Sequence, residues 1–375
     1  MQDIEIGMGR TARSSYTLDD ISIVPSRRTR SSSDVSTAWQ IDAYRFEIPM
    51  LAHPSDAVMS PATASEVSRL GGLGVLDGEG LWARHADPQA LIDRLVDVAE
   101  TADDPAELLV ELQRSYSTPV DTDLLAEAIG TMRSGGGTVA VRVSPQNAAA
   151  LAADVIKAGA EILIIQGTIV SAEHVQASGE ALNLKSFIAD LDVPVIVGGC
   201  TNYRTATHLM RTGAAGVIVG TGGGITSTTD AVLGIRVPMA TAIADAAAAR
   251  RSYLDETGGR YVHVIAAGEI DSSADIAKAI ACGADAVMVG EPLAEADIAP
   301  AGGWYWPNSA AHPVLPRGFA APVGNADVPL DRLLHGPAVD AEGRSSLFGG
   351  LRRAMGKAGY SELKEFQKVG LSVRL

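Results

Sequence analysis

The fold this sequence predicts is a (β/α)8 barrel, and three observations predict it. Eight apolar runs of strand length recur along the chain, amphipathic helix-length segments lie between them, and 375 residues leave room for a barrel of about 250 residues with insertions. The first four runs are "EIPMLA" from Glu47, "GLGVL" from Gly72, "TVAVRV" from Thr138 and "EILIIQG" from Glu161. The second four are "VPVIVGG" from Val193, "GVIVG" from Gly216, "YVHVIAAG" from Tyr261 and "DAVMVG" from Asp285. A short apolar run can also be buried helix, but these are rich in Val and Ile and end in Gly or Pro signals, which favours strand. The intervening segments include "SPQNAAALAADVIKAGA", "NYRTATHLMRTGA" and "SADIAKAIACGA". In each, a glycine closes the helix and the next strand follows at once. Strict alternation of strand and helix implies a parallel sheet, and eight strands in this order close it.

Three regions fall outside the alternation within one barrel domain spanning residues 1–375. Residues 1–46 hold the Arg- and Ser-rich "VPSRRTRSSSDVSTAW" and read as an arm across one end of the barrel. Residues 77–137 carry helices and the acidic "AETADDPAELL". Residues 292–346 are rich in Gly, Pro and Ala and read as a long irregular flap after strand eight, with Trp304, Tyr305 and Trp306 as its packing anchors.

Composition narrows the class. With 45 acidic and 30 basic residues the net charge is −15, which disfavours a nucleic-acid or membrane-surface role. No apolar stretch is long enough to span a bilayer, and the polar start "MQDIEIGMGRTARS" is unlike a signal peptide. Two cysteines, Cys200 and Cys282, are too few for a disulfide framework, so a cytoplasmic protein with free thiols is expected. His53, His174, His208 and His263 show no metal-ligand spacing, and no metal site is expected. The segment "ADAAAARRSYLDE" reads as an amphipathic packing helix with a small-residue face.

Several longer stretches carry a resemblance. They are "YTLDDISIVPSRR" near the start, "RLGGLGVL" at the second strand, "DIAKAIACGADAVMVG" at the eighth and "GGLRRAMGKAGYSELKEF" at the carboxyl end. From end to end, the chain resembles the IMP dehydrogenase/GMP reductase family. The pair of CBS domains that most IMP dehydrogenases insert after the second strand is missing, since residues 77–137 are too few to hold them. In this the chain resembles GMP reductases and a short IMP dehydrogenase-related branch. The resemblance implies a homo-oligomeric barrel, usually a tetramer, that acts on a purine nucleotide with NAD or NADP.

The loop "GTGGGITSTTD" from Gly220 stands where the family has G-x-G-P-G-S-x-C-T-T, whose cysteine attacks C2 of the purine base. Counting back from "GIRVPMATAI" puts Ser227 at the cysteine position, flanked by Thr226 and Thr228, with Ile225 where a phosphate-binding serine is expected. By resemblance, Ser227 and Thr228 are the catalytic candidates. Gly222, Gly223, Gly224, Gly268, Glu269, Gly290 and Glu291 are the substrate-binding candidates, and Gln166 and Gly167 the cofactor-binding ones. Departures surround them. "AAGEI" puts Ala267 where the family holds ribose with Asp and Glu269 where it has glycine, while Glu291 replaces a phosphate-contacting serine. Gln166 stands where cofactor-contacting relatives carry Asp. "HPVLPRG", with His312 and Arg317, replaces the family's flap signature.

Cysteine suits the covalent reaction because its pKa of about 8.5 leaves a few per cent thiolate near neutrality, whereas a serine hydroxyl needs an adjacent base. Within the loop only Asp230 offers one, although a His from another loop could serve. Cys200, at the carboxyl end of strand five, is either a packing residue at a tight turn or a thiol on the active face. Three functional readings stand. One is a purine-nucleotide oxidoreductase of the family with altered or lost activity. Another is a non-catalytic barrel for ligand sensing or assembly with an active homologue. The third is a barrel turned to a non-nucleotide substrate. Negative charge at Glu269 and Glu291, with no side-chain donor at Ile225, predicts weak binding of IMP and GMP.

Overall fold

The computed structural model describes residues 3–174, 182–222, 224–312 and 318–374. All eight predicted runs are barrel strands: β1 (Met50–Ala52), β2 (Val75–Asp77), β3 (Ala140–Val143), β4 (Ile162–Gln166), β5 (Val195–Cys200), β6 (Gly216–Val219), β7 (His263–Ala266) and β8 (Ala286–Val289). They form one eight-stranded sheet in which every neighbouring pair is parallel and β8 lies beside β1. The barrel closes between β1 and the approach to β2. There the Leu73 N–H donates to the Met50 carbonyl at 2.9 Å, and the Ala52 N–H donates to the Leu73 carbonyl at 2.9 Å. Strand residues are buried throughout, except that Arg142, Gln166 and His263 are half-buried. That is the pattern of a filled barrel interior wrapped by helices.

The helices, in chain order, are α1 (Pro61–Arg69), α2 (Pro88–Thr101), α3 (Pro105–Ser117), α4 (Thr122–Ser134), α5 (Ala148–Ala158), α6 (Leu184–Ala189) and α7 (Tyr203–Met210). They continue with α8 (Thr229–Leu233), α9 (Met239–Thr257), α10 (Ser273–Ala281), α11 (Leu330–His335), α12 (Leu347–Ala358) and α13 (Leu363–Phe366). Local chemistry sets their ends. The Ser60, Asn202 and Ser272 side chains accept the N–H groups of Thr63, Thr205 and Asp275 at the starts of α1, α7 and α10. At the other end of α5, Gly159 stops the helix at φ +118°, a backbone state that costs a side-chain-bearing residue energy. The segment read as an amphipathic helix, within α9, is buried well beyond one stripe. Ala246, Ala247, Ala249, Arg250 and Tyr253 are all covered, because the helix is wedged against α7, α10 and the barrel wall.

Two of the regions outside the alternation are more structured than their composition indicates. In the N-terminal region a hairpin pairs Asp3–Gly7 with Arg10–Arg13, and strand Ile21–Val24 pairs with the C-terminal strand Gly370–Val373. Tyr16 exchanges hydrogen bonds with Thr241 of α9, so this stretch runs along the outer helices. A second hairpin, Trp39–Ile41 with Tyr44–Phe46, then brings Trp39 against the His263 ring at the start of β7. Nor is the flap irregular throughout. It contains 3-10 turns at Glu291–Glu295 and Asn308–Ala311, a small hairpin of Trp304–Tyr305 with Ala321–Pro322, and α11. Trp306, 1% exposed, anchors it as its aromatic content predicted. No helix among the described residues is long and apolar enough to cross a membrane.

Candidate active site

A cavity of about 570 Å³ opens at the carboxyl end of the strands, the end where barrels of this kind carry their chemistry. Of the residues singled out in the sequence, Gln166, Gly167, Gly222, Gly224, Ser227, Gly268, Glu269, Gly290 and Glu291 line it. Thr228 does not, and its hydroxyl is buried without a hydrogen-bond partner among the described residues. Gly223 and Arg317 lie outside the described residues. His312 lines the cavity rim.

One wall comes from the loops after β6, β7 and β8. The chain leaves β6 through Gly220 at φ +129°, where a Cβ would overlap the Ala267 carbonyl oxygen. The loop then folds over Glu291. The Ile225 N–H donates to one carboxylate oxygen at 3.2 Å, and the Thr226 N–H and hydroxyl donate to the other at 3.2 and 3.0 Å. So the loop does supply donors at Ile225 and Thr226, from the backbone, and they are satisfied from within the chain. Ser227 follows with its hydroxyl in the cavity, 3.3 Å from where a Cβ on Gly222 would sit. No hydrogen bond joins the Ser227 hydroxyl to a His, Asp or Glu among the described residues. Asp230, the base offered by the sequence, is exposed and faces Arg236 at 3.5 Å.

Glu269 corrects the sequence reading. It turns to Arg236, at 2.6 Å, so a paired guanidinium offsets its charge. Only Glu291 brings its carboxylate into the loop. At the rim, burial and then the neighbouring Glu291 push the Asp271 carboxyl up to about 6. The flap latches onto the same loop. The Phe319 N–H donates to the Thr226 carbonyl at 3.0 Å, and Gly318 bridges to Ser227.

The opposite wall was largely missed by sequence reasoning. Arg142, pointing inward from β3, donates to Asp77 at 3.2 Å and to the Gln166 carbonyl at 2.8 Å, and lies 3.5 Å from Glu79. Glu79 also accepts from the Ser144 hydroxyl at 3.0 Å, from the Ser144 N–H and from the Asn147 amide. Burial alone would raise the Glu79 carboxyl, but Arg142, Asn147 and Ser144 outweigh it and hold it below the usual carboxylate range. Above this cluster, Asn308 of the flap donates to Asp77 and to the Pro54 carbonyl. His53 sits 3.1 Å from the Tyr305 hydroxyl, and burial, helped by Arg142, depresses its pKa to about 4. A signal was available. Arg142 is the one charge inside the run "TVAVRV", and Asp77 and Glu79 lie at and just past the carboxyl end of a strand, where inward residues reach the active face.

Gln166 keeps its side-chain carbonyl buried and without a donor among the described residues, while its amide nitrogen faces the Met288 sulfur at 3.3 Å. Cys200 is buried outside the cavity lining, and burial pushes its thiol up to about 12. Of its two readings, the packing one holds. Cys282 is shifted the same way by burial. Among the described residues no group of three or more His, Cys, Asp or Glu side chains is placed to hold a metal ion.

Residues 15–310 match the family model described as the IMP dehydrogenase / GMP reductase domain. The chain belongs to that family. A crystal structure of an IMP dehydrogenase/GMP reductase-like protein from Corynebacterium glutamicum superposes with a TM-score of 0.95 at 54% identity, covering 99% of this chain and 97% of that one. A protein of Mycolicibacterium smegmatis named an uncharacterized oxidoreductase is 62% identical over 373 residues, covering 99% of both chains. The inosine-5'-monophosphate dehydrogenase of Methanocaldococcus jannaschii is 33% identical over 234 residues, 56% of this chain and 45% of that enzyme. The fold of the Corynebacterium glutamicum protein is thus shared over nearly the whole of this chain.

Proposed function

We propose that this chain is an oxidoreductase of the IMP dehydrogenase/GMP reductase type whose cysteine-dependent step on the purine nucleotide is altered or lost. The observation that carries the reading is Ser227, which lies in the cavity without a hydrogen-bonded base among the described residues. A serine hydroxyl in that state has no appreciable nucleophilic fraction near neutral pH. The β6–β8 side would take the purine. A nicotinamide ring would lie on the β4 side, where Gln166 and Gly167 line the cavity. When bound, that group would supply hydride transfer, and NAD and NADP are equally compatible with these two residues.

The lone Ser227 hydroxyl also favours a second reading, a barrel that holds a ligand for sensing or for assembly with an active homologue. Incubation with IMP and NAD, followed by mass spectrometry of the peptide spanning Gly220 to Arg236, tests the first. The expected result is no purine adduct at residues 226–228. A nucleotide-mass adduct on Ser227 overturns it. Reduced cofactor formed from NAD or NADP with any purine separates altered from lost activity. Size-exclusion chromatography with light scattering tests the tetramer implied by resemblance.

A further inference from the structure

The loops after β6 and β8 already hold an anion, and it is part of the chain. Two consecutive backbone N–H groups and a hydroxyl, from Ile225 and Thr226, converge on the Glu291 carboxylate at 3.0–3.2 Å. Such a donor set is how main-chain nests grip oxyanions, and barrel loops at this end are a frequent phosphate seat. Gly224, at φ +81°, gives the carboxylate its space, since a Cβ there would overlap it.

We infer that Glu291 is the resident anion of this seat, and that the cavity takes an unphosphorylated purine, a nucleoside or free base, in place of a nucleotide. The ligand class rests on the purine reading above; the occupancy of the seat does not. A phosphate entering here would have to displace Glu291 and then share the cavity with it. Relief is not at hand. Among the described residues the cavity is lined by Asp77, Glu79, Asp271 and Glu291, and by Glu269 paired with Arg236, against the guanidiniums of Arg84 and Arg142. Both arginines are committed, Arg142 to Asp77 and Glu79, and Arg84 to the Glu79 and Thr118 carbonyls. Like charges at contact repel at the dielectric of a protein cavity, whereas an uncharged ligand meets no such barrier. The Ser227 hydroxyl remains to recognise a ring or sugar group.

Calorimetric titration and thermal shift at low ionic strength test this on the full chain, with IMP, inosine, hypoxanthine and inorganic phosphate as probes. The wild-type protein is expected to bind inosine or hypoxanthine at least as tightly as IMP and to show no phosphate-dependent shift. Glu291→Ser should gain IMP affinity relative to inosine by about tenfold or more and acquire a phosphate-dependent shift, with Glu291→Gln moving the same way by less. A wild-type preference for IMP over inosine of about tenfold, or stabilisation of the wild type by phosphate, overturns the inference. Failure of phosphate to shift either variant overturns it as well. If no purine binds any form while Glu291→Ser gains phosphate, the seat assignment stands, and the purine ligand falls together with the reading it rests on. Should Glu291→Ser fold poorly, the wild-type comparison and Glu291→Gln decide.

Discussion

A carboxyl group sealed from water is least costly when it keeps its proton, and Asp56 is such a group at 1% exposure. One of its oxygens accepts the Leu81 N–H at 2.9 Å and the Tyr116 hydroxyl at 2.6 Å, while the other has no partner among the described residues. Desolvation, and after it the charge of Asp77, push its pKa up to about 7 from an unfolded value of 3.8. Because the folded value is the higher one, the folded state binds the extra proton. Stability is therefore lost as pH rises across this window and levels off above it. Asp56→Asn retains the acceptor oxygen and removes the titration. Relative to wild type, the variant should gain stability between pH 4 and 7 by up to about 1.4 kcal/mol per pH unit, read from urea midpoints at each pH. A stability difference flat across that range would sink the assignment.

At the scale of elements, the loop after β6 is held from two sides, by the sheet beneath and the flap above. Gly220 lets the loop leave the sheet at φ +129° against the Ala267 carbonyl. Gly220→Ala should therefore cost about 1–3 kcal/mol from backbone strain alone, with the overlap added, and lower the melting temperature accordingly. The flap's latch is Gly318, whose added Cβ would meet the Pro307 ring at 2.6 Å and the Thr226 carbonyl at 3.0 Å. Gly318→Val should lift the flap from the Ser227 loop with little effect on the barrel. Limited proteolysis would then cut faster within residues 303–323 while urea stability of the barrel stays close to wild type. Equal cleavage rates would show that the latch contributes nothing to flap closure.

Over the whole molecule, the end of the barrel away from the cavity is tied by one buried charge. Asp285, just before β8, accepts from Arg250 of α9 at 2.6 Å, from Tyr261 at 2.7 Å, from Lys364 at 2.5 Å and from the Val264 N–H at 2.9 Å. Burial alone would raise its carboxyl, but Arg250 and Lys364 hold it well below the usual carboxylate range. The sign is opposite to that of Asp56. Its contribution is complete above an unfolded value of 3.8 and is lost as pH falls below it. Removing Arg250 leaves the buried Asp285 with the partly exposed Lys364 as its remaining cation, so Arg250→Ala should destabilise the protein by about 3 kcal/mol at neutral pH, measured by urea unfolding. The cavity lies at the other end of the strands, so ligand binding by the folded variant should be unchanged.

All eight strands, and the Gly159 stop of α5, were legible in the sequence because their causes are local: apolar period, β-branched content, and a residue that tolerates positive φ. The sequence by itself also determined that Ser227 stands in the loop after β6 and that carboxylates stand at positions 269 and 291. Where those carboxylates point was decided only by the tertiary structure. Glu269 turns to Arg236, 33 residues earlier, and Glu291 turns into the loop because the Thr226 N–H, 65 residues earlier, needs an acceptor. The Arg142 cluster is the same case, with Asp77 brought beside it from 65 residues away by the pairing of β2 and β3. A side chain's partner is a property of the closed barrel, since closure brings distant loop ends to one rim and the unsatisfied donors there choose among the carboxylates within reach.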